Sequence, residues 1–133
     1  MSRRRGPHSV EALIDILRDP GRGHAAHDEA VRQLGRLRER AVEPLIALLH
    51  DGDTGVRGRA AAALGRVGGP AIKALRGRLD DADPNVRASA VLALGLTRHH
   101  WAVRPLVTAR GDPEADVRRR RWVGWAMTTR SRR

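Results

Sequence analysis

The chain contains no cysteine, no phenylalanine and no tyrosine, and a single lysine, Lys73, among its 26 basic residues. Without cysteine there can be no disulfide, no thiolate zinc or redox centre and no thiol nucleophile. With Trp101, Trp122 and Trp125 as the only aromatic residues, an interior has to be assembled from Ala, Leu, Val and Ile, which suits thin helical layers in close contact. Long apolar runs are missing as well. The first apolar segment, VEALIDIL, is interrupted by Glu11 and Asp15. It is too short and too polar for a signal-peptide core, although the SRRR ahead of it superficially resembles a twin-arginine start. No stretch reaches the roughly 20 apolar residues of a membrane span. A cytoplasmic protein that does not engage membranes is expected. GxGxxG, a phosphate-binding loop and GxSxG are also absent, and with them the simplest signatures of nucleotide-dependent and acyl-transfer enzymes. No cofactor is expected.

Apolar residues make up 41% of the 133, enough to exclude a globally disordered chain. The net charge of +11 is concentrated at the ends: Arg3, Arg4 and Arg5 at one, and seven arginines without an acid over 117–133 at the other, leaving about +1 for residues 6–116. Such ends read either as solvated tails or as an electrostatic handle for nucleic acid or an acidic protein.

The strongest internal signal is repetition. VRGRAAAALG at 56–65 returns as VRASAVLALG at 86–95, and aligning on Gly35, Gly65, Gly95 and Ala126 gives periods of 30, 30 and 31. A period in this range points to stacked units that cover one another's apolar stripes. Val56, Ala60, Ala63 and Leu64 fall on one helical face, as do Val86, Ala90, Ala93 and Leu94. Each unit reads as two helices. First helices are predicted over roughly 9–18, 40–50, 69–79 and 100–110, and second helices over roughly 27–37, 54–66, 84–97 and 115–128. Asp53 and Asp83 stand where N-caps are needed, and Pro84 follows at the first helical position.

At DGDTGVRGRAAAALGRVGGPAIKAL and DADPNVRASAVLALG the chain resembles HEAT repeats of the phycobilisome-lyase type. The likeness is most specific over 40–97, degraded in the fourth unit and weak in the first. It implies an all-α fold: a right-handed α-solenoid of about four helical hairpins, first helices on the convex side and second helices lining the concave side. The expected organisation is a basic arm over 1–8, a solenoid over 9–128 (units of about 9–38, 39–68, 69–98 and 99–128) and a basic tail over 129–133. Asp51/Arg57, Asp81/Arg87 and Asp112/Arg118 share a spacing of six. In similar arrays such residues form a buried hydrogen-bonded ladder between layers, and an arginine fork can bridge two units. Recurrence once per unit argues against a row of catalytic acids.

Departures from the repeat mark candidate sites. In the first unit, GRGHAAHDEAVRQLG replaces the Val-Arg opening and lacks the ladder arginine, as a cap or a mobile loop would. In the fourth, VRRRRWVGWA puts Trp122 and Trp125 at packing positions, either sealing the last layer or forming a sticky end for self-association. Second-helix positions free of packing are Arg32, Arg36, Arg59, Ala62, Arg66, Ser89, Leu92, Leu96, Arg120, Val123 and Met127. They describe a groove that turns from basic to apolar and suits a peptide or protein partner. His24 and His27 precede Asp28 and Glu29, but iron-binding HEAT enzymes use His-Glu pairs, and no His-Glu dipeptide occurs here, so no metal is expected. The expected function is a non-catalytic protein-interaction scaffold. The alternative is a nucleic-acid-binding protein, related to HEAT-like DNA glycosylases, that uses its arginine clusters. No glycosylase or bilin-handling motif is recognisable, and the near-neutral body is a poor phosphate track.

Overall fold

Three aspartates at 30- and 31-residue intervals build the same turn three times. The Oδ1 atoms of Asp51, Asp81 and Asp112 each accept the backbone N–H two residues on, at 2.9 Å in every case. In the first two turns the next aspartate caps the following helix, Asp53 accepting from the Gly55 N–H at 2.7 Å and Asp83 from the Asn85 N–H at 2.8 Å. Two short acidic turns thus end one helix and start another within five residues.

The computed structural model describes residues 6–120. Its helices are α1 (Val10–Arg18), α2 (His24–Arg36), α3 (Glu39–Leu48), α4 (Thr54–Val67), α5 (Gly69–Arg78), α6 (Pro84–Leu96) and α7 (Val103–Thr108), with helical backbone resuming over 115–120. Short 3-10 turns cover Pro20–Arg22, His100–Ala102 and Ala109–Gly111. No strand occurs among the described residues. The first and second helices of each pair run side by side, α2, α4 and α6 stack in one layer, and α3 packs on α5 in the other. This is an α-solenoid.

One predicted element differs from the structure. The first-unit insertion is helical from His24, because Gly23 takes a positive φ of 83° and lets the chain leave the Pro20–Arg22 turn directly into α2. Helix α3 starts at Glu39, one residue before the predicted bound, and accommodates Pro44 inside it.

The core follows the period. Ala41, Ala71 and Ala102 are fully buried in the first helices, followed four residues later by Leu45, Leu75 and Leu106. In the second helices, Ala60 and Ala90, then Leu64 and Leu94, are equally inaccessible. Small residues set the spacing between layers. A Cβ built on Gly35 would stand 2.7 Å from the Arg66 Cβ, and one on Gly65 would stand 2.5 Å from the Leu96 Cβ. The recurring glycine is where the next unit's second helix rests against the previous one. The turn between successive helix pairs repeats too, with positive φ at Arg38 (56°), Gly68 (76°) and Arg98 (52°). Glycine enters that region freely, whereas an arginine there costs about 1–3 kcal/mol. At Arg38 the side chain offsets part of this by donating from Nη1 to the Val67 carbonyl, 2.8 Å away in the next unit.

Candidate functional site

Each of the spacing-of-six arginines reaches the main-chain oxygen of its own aspartate. Nη1 of Arg57 donates to the Asp51 carbonyl at 2.9 Å, that of Arg87 to the Asp81 carbonyl at 2.9 Å, and that of Arg118 to the Asp112 carbonyl at 2.7 Å. In each case the Asp Oδ1 also accepts the backbone N–H of its own turn. Contact between units is made by different pairs at different interfaces. Arg87 crosses to the next unit and meets the Asp112 carboxylate, Nε to Oδ2 at 2.9 Å and Nη2 to Oδ1 at 3.4 Å, with side chains only 13% and 9% exposed. One interface earlier, Asp81 receives His50 Nε2 at 3.1 Å, with Arg78 at 3.9 Å, while Arg57 turns instead to the Thr54 hydroxyl. The Asp83 backbone N–H on the Asp81 carboxylate, helped by His50 and Arg78, holds its pKa below the usual value of 3.8 against partial desolvation.

The first unit carries its own version, which the sequence reading missed. His27 stands 30 residues before Arg57, is buried, and its Nε2 lies 2.7 Å from the Asp19 carbonyl. It takes the place of the missing arginine, and the two-residue insertion explains why its carbonyl lies eight residues back instead of six. The signal was available in the register with Arg57 but was read as a possible metal ligand. Among the described residues no three His, Cys, Asp or Glu side chains converge to hold an ion.

The expected groove residues divide. Arg32, Arg36, Arg38 and Arg66, with Gly35 between them, surround one depression of about 300 Å³ on the α2–α4 face. An adjoining depression of about 470 Å³ shares Arg32 and Arg66 and extends to Asp28, Arg59 and Ala62. Arg32 is held by Glu29, Nη2 to Oε2 at 3.0 Å, and that hydrogen-bonded guanidinium keeps the Glu29 carboxyl below its ordinary pKa. Arg36 and Arg66 are exposed, and neither side chain makes a hydrogen bond or ion pair among the described residues.

Arg59 and Ser89 do not stand free in the groove. Their shared register, 30 residues apart, faces the neighbouring layer. Arg59 Nε donates to the Leu17 carbonyl at 2.9 Å, whereas the shorter Ser89, 8% exposed, turns back to the Asn85 carbonyl at 2.9 Å. Leu92 and Leu96 are half-buried, Leu96 because its Cβ rests over Gly65. Arg120 Nε lies 3.8 Å from Asp116 and borders a small depression of about 70 Å³ with Ser89 and Leu92. Trp122, Val123, Trp125 and Met127 lie outside the described residues, so the apolar half of the expected groove is represented only by its two leucines.

A second surface went unremarked in the sequence. Between α5 and α7, Arg76, His100, Trp101 and Arg104 border a cleft of about 670 Å³, and Trp101 is 62% exposed. No described helix is long and apolar enough to cross a membrane.

Comparison with known proteins places this architecture. No curated protein matches the chain. Among solved structures, human deoxyhypusine hydroxylase in complex with glycerol superposes with a TM-score of 0.63 at 26% identity, covering 92% of this chain and 44% of the hydroxylase. The CpcE–CpcF complex of phycocyanin lyase from Nostoc sp. PCC7120 gives a TM-score of 0.60 at 23% identity, over 91% of this chain and 78% of that one. The chain therefore spans less than half the length of the hydroxylase, and its likeness to the lyase is one of fold. The profile for HEAT repeats matches residues 10–83 and 42–124, most of the sequence. With the 30-residue register, the paired helices and the stacked second-helix layer, this match makes the chain a member of the HEAT-repeat family.

Proposed function

We propose that the chain is a non-catalytic binding module that holds an acidic segment of a protein partner on its second-helix face. The observation that carries this reading is the arginine-lined depression formed by Arg32, Arg36, Arg38 and Arg66. Arginine forks accept carboxylates in bidentate geometry, and a guanidinium already exposed and unpaired loses little by binding one. The stacking brings these arginines together: Gly35 lets α4 rest against α2, so Arg36 and Arg66 emerge beside each other from adjacent units. HEAT arrays serve widely as interaction scaffolds, and their specificity lies in such surface side chains.

The test is fluorescence anisotropy with labelled oligoglutamate, and with duplex and single-stranded oligonucleotides in parallel. Arg36→Glu/Arg66→Glu is expected to weaken oligoglutamate binding at least about tenfold, since like charges now face the peptide. Arg110→Glu, outside both depressions, should leave it unchanged. Equal affinity for the double variant and the parent chain refutes the reading. Tighter oligonucleotide binding that is lost with the same pair assigns the face to phosphate instead.

A further inference from the structure

We propose that the cleft between α5 and α7 binds a nucleotide, its base stacked on Trp101 and its phosphate held by Arg76 and Arg104. The fold itself does not ask for an aromatic residue at position 101. Register through the buried alanines Ala41, Ala71 and Ala102 aligns Trp101 with the exposed Arg40 and the half-buried Pro70, neither of them a core position in the earlier units. Ala102 fills the core position, and the indole is left 62% exposed, forfeiting much of the burial that normally places tryptophan in a protein. Its neighbours fix its orientation nonetheless. The His99 ring lies 4.6 Å from the indole at a tilt of 51°, and His100 meets it edge-on at 5.6 Å. His99 Nδ1 accepts the Trp101 backbone N–H at 3.2 Å, which tightens the turn. An exposed ring held in one orientation is a ready stacking platform.

Charge completes the site. The equivalent cleft one layer earlier, between α3 and α5, includes Glu39 and Glu43 beside Lys73 and Arg78. In the α5–α7 cleft no carboxylate is among the lining residues, and the exposed Arg76 and Arg104 side chains make no hydrogen bond or ion pair among the described residues. The volume of about 670 Å³ lies within the range of small-molecule sites. A flat π-face beside two unpaired guanidinium groups selects a ligand that is itself flat at one end and anionic at the other. An acidic peptide would use the arginines and leave the indole idle. An apolar or proline-rich peptide would do the reverse. A nucleotide uses both, either free or as one unit of a single strand, where stacking on aromatic side chains is tolerant of sequence.

Anisotropy with a short labelled oligothymidylate, competed by adenosine monophosphate and separately by oligoglutamate, tests this on the full chain. Trp101→Ala is expected to weaken oligothymidylate binding at least about five-fold, and Trp101→Phe to retain most of it. Arg104→Gln is expected to shallow the log–log salt dependence by about 0.7, the share of one phosphate contact on a single strand. Far-UV circular dichroism should be unchanged in all three, because positions 101 and 104 are exposed and lie outside the core. Competition by adenosine monophosphate at concentrations similar to the strand identifies a free-nucleotide site, and much tighter strand binding identifies a single-strand site; both support the proposal. Unchanged oligothymidylate affinity in Trp101→Ala would show binding through the basic ends and overturn it. Failure of every nucleotide probe to bind overturns it as well. Oligoglutamate binding that depends on Arg76 and Arg104 but not on Trp101 would reassign the cleft to an acidic peptide.

Discussion

Two glycines seven residues apart in α4 should respond in opposite directions to the same substitution. Gly58 and Gly65 both lie within the helix Thr54–Val67, so replacing either with alanine gains about 0.8–1.0 kcal/mol of helix propensity. A Cβ on Gly58 meets nothing within 4 Å, so Gly58→Ala should stabilise the chain by about 0.5–1 kcal/mol. A Cβ on Gly65 would land 2.5 Å from the Leu96 Cβ and 3.1 Å from the Leu96 backbone carbon. Carbon atoms at rest lie about 3.5–4.0 Å apart, so α6 would have to withdraw by roughly 1 Å. Helix backbone cannot swing aside as a side-chain tip can. An overpacking cost of about 1–3 kcal/mol then offsets or exceeds the propensity gain, for a net loss of up to about 2 kcal/mol. At about 4 °C per kcal/mol for a chain of this size, the two variants should melt on either side of the parent by circular dichroism. Urea midpoints should move the same way without a change in slope. Gly65→Ala/Leu96→Gly removes the clash and should recover part of the loss, with a coupling of about 0.5–3 kcal/mol in the double-mutant cycle. Should Gly65→Ala melt at or above the parent temperature, close layer contact at the repeating glycine is not what sets the stacking distance.

Other perturbations address the contacts between units. Arg87→Ala leaves the Asp112 carboxylate buried without its partner and should cost about 3–5 kcal/mol, measured by urea unfolding. Arg59→Ala removes a charged donor from the Leu17 carbonyl and should cost less, about 1.5–3 kcal/mol, while the exposed Arg32→Ala should barely move the midpoint. Equal midpoints for Arg87→Ala and Arg32→Ala would rule out the Arg87–Asp112 contact as a stabilising rung. Asp81 has a folded pKa held below 3.8 by the Asp83 N–H, His50 and Arg78, so its contribution is present above that value and fades as pH falls through the folded pKa. Asp81→Asn should therefore be less stable than the parent near neutrality, the gap closing in strong acid. A gap that is constant with pH would refute the assignment.

The period carried most of the fold because the features that repeat are the ones that build it. Gly35 and Gly65, the acidic turns at Asp51, Asp81 and Asp112, and the alanine–leucine pairs are local in sequence and act through short contacts, so spacing alone placed them. Side-chain destinations were harder to read, since register gives the direction in which a residue leaves its helix but not how far it reaches. Arg59 and Ser89 share one register and were both assigned to the groove. The long side chain crosses to a carbonyl of α1, and the short one closes on its own helix. The spacing of six similarly suggested a ladder between layers; within each unit the arginine meets the carbonyl of its own aspartate, and Arg87 also reaches the next unit's Asp112 carboxylate.

His27 shows what it takes to see past residue identity. A histidine in an arginine's register looks like a broken repeat. What the position has to do, though, is place one ring or guanidinium nitrogen on the carbonyl that ends the preceding helix, and imidazole does so at 2.7 Å. Trp101 is the opposite case. It keeps the repeat's spacing while the fold has no use for its size, and a large side chain with no structural duty is the one most worth testing for a ligand.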